Sequence, residues 1–168
     1  IEQPRCNKCF SDDSLKYLKK FNFKINEIGD KFQTQDIKKI EDRSFNLTID
    51  QIIKYKTSEG INLGEDALAN CLRYFGKGNL TNESYENEIL RKFFYSSLIT
   101  YESLKKIFTK SFDLVIMSHG IYSPHGIINK FSNYKKISSY IYLPSYREGT
   151  FVFSKNDTYH KTMLHQPK

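Results

Sequence analysis

The sequence predicts a mixed α/β fold: a partial parallel sheet flanked by helices, preceded by a helical N-terminal extension. Three observations lead there. The apolar run "FDLVIM" is followed within some thirty residues by a helical pattern, "GIINKFSNYKK", and a second apolar run, "ISSYIYL". Strand, helix and strand at that spacing make a βαβ unit. Two amphipathic helical stretches precede it, and only short, weakly periodic segments come before those.

Residues 1–60 read as the extension and residues 61–168 as the α/β lobe. "IEQPRCNKCF" has no period and reads as an extended arm. Short helices are predicted at "SDDSLKYLKKF", "TQDIKKIEDR" and "TIDQIIKYK", with Ser11, Thr34 and Thr48 as caps and acids in each first turn. Between the first two, "FNFKINEIGDKF" alternates like a strand with a turn at Gly29–Asp30. In "LGEDALANCLRYFGKG" the residues Leu68, Cys71, Leu72 and Phe75 recur at helical spacing, and Gly76 and Gly78 stop the helix. A longer helix spans about 82–110, with an apolar stripe of Ile89, Phe93, Leu98 (or Phe94), Tyr101, Leu104 and Phe108, expected to lie across the sheet. "FDLVIMS" has the continuous apolar character of a strand buried on both faces. After the second strand come a polar loop, "PSYREG", a brief strand, "TFVF", and a helix capped by Asp157.

Composition excludes several classes. The formal net charge is +7, but the basic residues are 21 Lys against 5 Arg, scattered over every segment. Bidentate recognition of phosphates and bases favours clustered Arg, so nucleic acid is not the expected partner. Weak attraction to anionic membrane surfaces or phosphorylated substrates remains compatible with the charge. No run reaches the ~18 apolar residues of a membrane span, and no signal segment opens the chain. Three cysteines, Cys6, Cys9 and Cys71, are too few for a disulfide framework, and "RCNKC" lacks a second ligand pair, so no metal is expected. These features predict a cytoplasmic protein. Ile at position 1 and a final stretch that reads as an opening helix suggest a piece of a longer chain. The glycine loops G-x-G-x-x-G and G-x-x-x-x-G-K-[ST] and the G-x-S-x-G elbow are all missing, which disfavours dehydrogenases, P-loop enzymes and α/β-hydrolases.

The chemistry is expected at "SHGIYSPHG", residues 118–126, because ligands of open α/β sheets sit at the carboxyl ends of the strands. Ser118, His119 and Gly120 should occupy that edge. Gly120 and Gly126 allow close backbone approach, so the loop amides could meet an anion or a sugar hydroxyl. His119 is the candidate general base, since imidazole titrates near neutral pH; its alternative is a strand cap bonded to a neighbouring carbonyl. His125 fits a substrate contact better than the base role. The second strand's exit offers Tyr146, Arg147 and Thr150: an aromatic face, a cation for phosphate or carboxylate, and a hydroxyl. Arg147 paired to Glu148 is the plain alternative. "NDTYH" would bring His160 to the same edge if the brief strand ran parallel.

The segments "INLGEDALANCLRYFGKGNL", "FDLVIMSHGIYSPHGII" and "YREGTFVFSKNDTYHKTM" resemble the N-terminal region of bacterial capsular-polysaccharide-type glycosyltransferases of the two-lobed GT-B architecture, over about residues 60–168. The H-G-x-Y, Y-R and D-x-Y-H motifs carry the likeness. It implies a Rossmann-like acceptor lobe, with a nucleotide-sugar donor bound mainly by a second lobe downstream of Lys168. It also implies a glycan or lipid-linked acceptor at the inner face of the membrane. The site faces the interlobe cleft, where position had already put His119, Tyr122, Tyr146 and Arg147. No bound cofactor or metal is implied. A non-catalytic phosphate- or glycan-binding module is the alternative reading.

Overall fold

The computed structural model describes residues 20–158, apart from 25, 27, 30, 31 and 111. The helix predicted from Ser11, the cysteines at 6 and 9, and His160 lie outside the described residues.

Among the described residues, four helices precede the sheet. Helix α1 (Thr34–Asn46) is capped by Gln33 rather than Thr34, and the Asp36 carboxylate accepts from the Gln33 N–H at 3.4 Å. Lys106 donates to the same carboxylate at 3.1 Å, tying α1 to the long helix. That contact comes first, and the Gln33 N–H second, in holding Asp36 below the ordinary carboxylate range. The pattern at "TIDQIIKYK" yields only a five-residue α2 (Ile49–Ile53), with Thr48 as cap. Thr48 Oγ1 accepts from Gln51 N and Gln51 Oε1 accepts from Thr48 N, a reciprocal capping box. The chain then leaves the helix to form a bridge between Lys56 and Asn62.

Helix α3 (Leu63–Phe75) starts against the end of α2. The Tyr55 carbonyl accepts from the N–H groups of both Leu63 and Gly64, which would otherwise be unpaired at a helix start. A Cβ at Gly64 would lie 2.0 Å from the Ile52 carbonyl oxygen, so only glycine permits this approach. Asn62 accepts from the Glu65 N–H, and Gly76 closes the helix in the left-handed conformation (φ 62°). The connection to α4 (Ser84–Ile107) is pinned by Glu86, whose carboxylate accepts from Lys77 Nζ at 2.6 Å and from the Thr81 N–H at 2.6 Å. The Lys77 contact comes first in holding the Glu86 carboxyl down at about 2.

Over its 24 residues α4 runs about 36 Å at 1.5 Å per residue. It was expected to lie across the sheet. Instead its neighbours are α1, α2, α3 and the later helix α5. Leu90, Phe94, Leu98, Tyr101 and Leu104 are its buried apolar residues, so both residues offered as alternatives at one stripe position face inward. Ile40, Ile52, Leu63, Ala67 and Cys71 share one core with them, together with Ile127 and Phe131 of α5. The segment from Phe21 to Phe32 has no strand among its described residues; its turn at Gly29 is held by an N–H donated to Ser103 Oγ of α4.

The sheet has three strands in the order β1 (Leu114–Ser118), β2 (Ser138–Pro144), β3 (Phe151–Lys155), with α5 (His125–Tyr134) between the first two. β1 and β2 are parallel, with Ser118 opposite Tyr142. β3 is antiparallel to β2, with Phe151 opposite Pro144 and Lys155 opposite Tyr140. Helix α5 covers one face, over Met117, Ser139, Ile141 and Leu143, and Ser139 Oγ donates to Asn129 Oδ1 at 2.9 Å beneath it. The other face carries Leu114, Ile116, Tyr140, Tyr142, Phe151 and Phe153, all exposed, Ile116 at 67%. β1 is therefore not buried on both faces as its apolar run suggested. A short apolar run reports how hydrophobic a strand is, not how many layers cover it.

Candidate functional site

The β1–α5 loop turns on two consecutive left-handed residues, His119 (φ 60°) and Gly120 (φ 68°). A Cβ at Gly120 would lie 2.6 Å from Ile141 Cδ1, so close packing and backbone conformation both call for glycine there. At His119 a non-glycine residue takes the same conformation, an uncommon placement that turns the imidazole out at the end of the strand. The His119 N–H donates to the Tyr142 carbonyl at 3.2 Å and the Gly120 N–H to the Ser118 carbonyl at 2.7 Å. The Gly126 N–H donates to the Tyr122 carbonyl at 2.6 Å. These three amides, expected to meet an anion, are thus already engaged within the protein. Gly126 has a different reason to be glycine: a Cβ there would lie 2.5 Å from Asp66 Oδ1.

The loop feeds three cavities. The first is a cleft of about 520 Å³ at the carboxyl edge of the parallel pair, lined by Arg73, His119, Tyr122, Ser145 and Tyr146 over a floor that includes Leu143 and Val152. His119 is half-buried there, while Tyr146 is fully exposed. The Arg73 guanidinium carbon sits 4.8 Å from the centre of the Tyr122 ring, a cation–π contact.

The second, about 350 Å³, lies on the other side of Tyr122 and takes in Gly120, Asp66, Lys130, Asp157 and Thr158. Its charges are largely spent on one another. Lys130 Nζ donates to Asp66 Oδ2 and Glu65 Oε2, each at 2.9 Å, and to the Asn62 carbonyl at 3.0 Å. Burial nonetheless pushes the Asp66 carboxyl up to about 6, the Lys130 charge offsetting only part of the desolvation. The third cavity, about 680 Å³, is lined by Ser118, His125, Met117, Ile128 and Tyr142 among others. Burial first, and the nearby His119 second, hold the His125 imidazole below its ordinary value.

Of the residues predicted for the site, His119, Tyr122 and Tyr146 share the first cleft. Ser118 and His125 line the third cavity and Gly120 the second. Arg147 and Thr150 are exposed in the β2–β3 loop and do not line the cleft. Thr150 instead closes the loop: its Oγ1 donates to the Arg147 carbonyl at 2.6 Å, and the Ser145 N–H donates to the Thr150 carbonyl at 2.9 Å. Because β3 returns antiparallel, the chain after it leaves from the opposite edge, where the Ser139 N–H donates to Asn156 Oδ1 at 2.9 Å. The parallel run on which that placement of "NDTYH" depended is absent, yet its Asp157 and Thr158 line the second cavity with Gly120 and Tyr122, and His160 lies outside the described residues.

Two polar residues of the cleft, Arg73 and Ser145, are not among those expected from the sequence. Arg73 looked like an ordinary cation in the last turn of α3, and nothing local indicates that α3 ends beside the loop at 119–122. Among the described residues no three His, Cys, Asp or Glu side chains stand together as a metal site. Cys71 is buried, its thiol pushed up to about 11 by desolvation, and it donates to the Glu86 carbonyl at 3.7 Å. Compared with family models, curated proteins and solved structures, the chain gives no match.

Proposed function

We propose that the cleft is the acceptor side of a glycosyltransferase, which moves a sugar from a nucleotide-sugar donor to a hydroxyl of a growing surface glycan. The observation that carries this reading is the position of His119: a half-buried imidazole at the carboxyl edge of a parallel strand pair, beside Tyr122, Tyr146 and Arg73. Tyrosine rings suit the apolar faces of a sugar, and their hydroxyls suit its polar rim.

In the proposed reaction the acceptor hydroxyl loses its proton to His119 as its oxygen attacks the anomeric carbon. The bond from that carbon to the nucleotide's terminal phosphate breaks, and the nucleoside diphosphate leaves with the bonding electrons. The cleft holds the acceptor in line for attack. A second lobe would supply most of the donor contacts. The reading includes a glycan or lipid-linked acceptor and work at the cytoplasmic face of a membrane. Among the described residues no helix is long and apolar enough to cross one.

One observation favours the alternative of a phosphate- or glycan-binding module without turnover. Among the described residues no side chain hydrogen-bonds the His119 imidazole, so none of them orients it as a partner carboxylate orients a catalytic histidine.

The test is His119→Ala in the intact protein, assayed against a panel of nucleotide sugars and acceptor glycans. A positioned base contributes ~10²–10⁴-fold, so turnover should fall by that factor while circular dichroism stays unchanged. Turnover within about twofold of the parent would remove His119 from the base role.

A further inference from the structure

Several charged side chains that tie the helices together have partners. Arg43 pairs with Glu102, Arg91 donates to the carbonyls of Ser44, Phe45 and Leu47, and Lys77 pairs with Glu86. Lys130 is saturated by three oxygens. Arg73 differs. No carboxylate of the described residues pairs with it, and its guanidinium lies over the face of Tyr122. A cation in the last turn of α3 complements the helix dipole, which accounts for the charge but not for its placement over a ring at the wall of a cleft. Packing against the ring fixes the guanidinium, so less freedom is lost when its N–H groups engage a ligand. Tyr122, Ser145, Tyr146 and His119 line the same space and offer further hydrogen-bonding groups for an oxyanion.

We infer that the cleft binds an anionic ligand, in which Arg73 takes the phosphate of a phosphorylated sugar and the exposed Tyr146 ring takes the sugar. The inference rests on the reading that this cleft holds a glycan, and it names the ligand's chemistry. A phosphate suits the site because its several terminal oxygens can meet the guanidinium fork and the surrounding hydroxyls together, where a carboxylate offers two oxygens only.

The experiment is titration calorimetry at low salt, with amide shifts followed in parallel, on the full 168-residue chain. The soluble ligands are glucose 1-phosphate, glucuronate and a neutral oligosaccharide. Phosphatidylcholine vesicles with and without phosphatidic acid form the lipid arm. The variants are Arg73→Gln, Arg73→Lys and Lys39→Gln, the last making the same charge change on α1.

A charge-assisted hydrogen bond predicts ~10–100-fold weaker glucose 1-phosphate binding in Arg73→Gln. A smaller loss is expected in Arg73→Lys and none in Lys39→Gln. The same Arg73 dependence confined to acidic vesicles would support the inference and assign the phosphate to a lipid. Unchanged phosphate affinity in both Arg73 variants, or glucuronate binding as tightly as glucose 1-phosphate, would overturn it. If only the neutral oligosaccharide binds and shifts the amides at 119 and 146, the anion site falls while the glycan reading stands. If none of the ligands binds, both fall.

Discussion

Replacing Gly120 by Ala should destabilise the protein through two separable effects. A left-handed backbone at an L residue costs ~1–2 kcal/mol. The new methyl would also start 2.6 Å from Ile141 Cδ1 and 3.2 Å from its Cγ1 and Cγ2, in a side chain only 1% exposed. Overpacking of that kind costs ~1–3 kcal/mol. Together the expected loss is about 2–5 kcal/mol, or roughly 4–20 °C in melting temperature for a chain of this length. Ile141→Val removes the nearest atom, Cδ1, and alone costs ~0.5–1.5 kcal/mol. In the double variant the overpacking is relieved and the backbone cost remains, so the two changes should sum to at least ~1 kcal/mol less than their separate costs. Urea unfolding followed by circular dichroism on the four proteins measures this. Gly120→Ala within ~0.5 kcal/mol of the parent would refute the left-handed elbow. Strict additivity would refute the contact with Ile141.

The fold should carry a mild acid dependence of opposing signs. Asp66 titrates near 6 in the folded chain against an ordinary ~3.9, so its contribution is full below about 4 and is lost as pH rises through about 6. It is on the order of 2–3 kcal/mol, and Asp66→Asn should flatten the decline between those values in pH-dependent unfolding. Glu59, held at about 2 chiefly by the Tyr101 hydroxyl, and Glu86 act the other way: their contributions are present above about 4.3 and are lost as pH falls toward 2. Phe94→Ala should cost ~3–5 kcal/mol by chemical denaturation, because the ring is fully buried and meets Tyr55 edge-on at 5.0 Å.

The helices were legible where local chemistry decides them. The Gly76 stop ends α3, and Thr48 marks the start of α2. The order strand, helix, strand was likewise readable from "FDLVIM" to "ISSYIYL". What failed was information about neighbours. The periodicity of α4 shows that it has an apolar side, not that α1, α2, α3 and α5 supply the surface it meets. Nor does "LVIMS" show that only one of its faces is covered.

The direction of β3 could have been read. Six residues, Ser145 to Thr150, separate it from β2, too few for the dozen or so that a parallel crossover needs. The "SHGIY" stretch lies at the carboxyl end of β1, as chain direction requires, and His119 and Tyr122 line the first cleft there. Arg147 fits the chemistry by type, yet it lies in the hairpin loop and does not line the cleft, whereas Arg73 does, from a helix some seventy residues earlier. Only tertiary packing carries that exchange of one arginine for another.

If the cleft beside His119 receives a sugar, titrating the chain with acceptor-type oligosaccharides should move backbone amides most at residues 119–122 and 145–146, with the Arg73 side-chain N–H signals moving alongside. Shifts confined to the open sheet face around Ile116 and Phe153, or absent throughout, would contradict it.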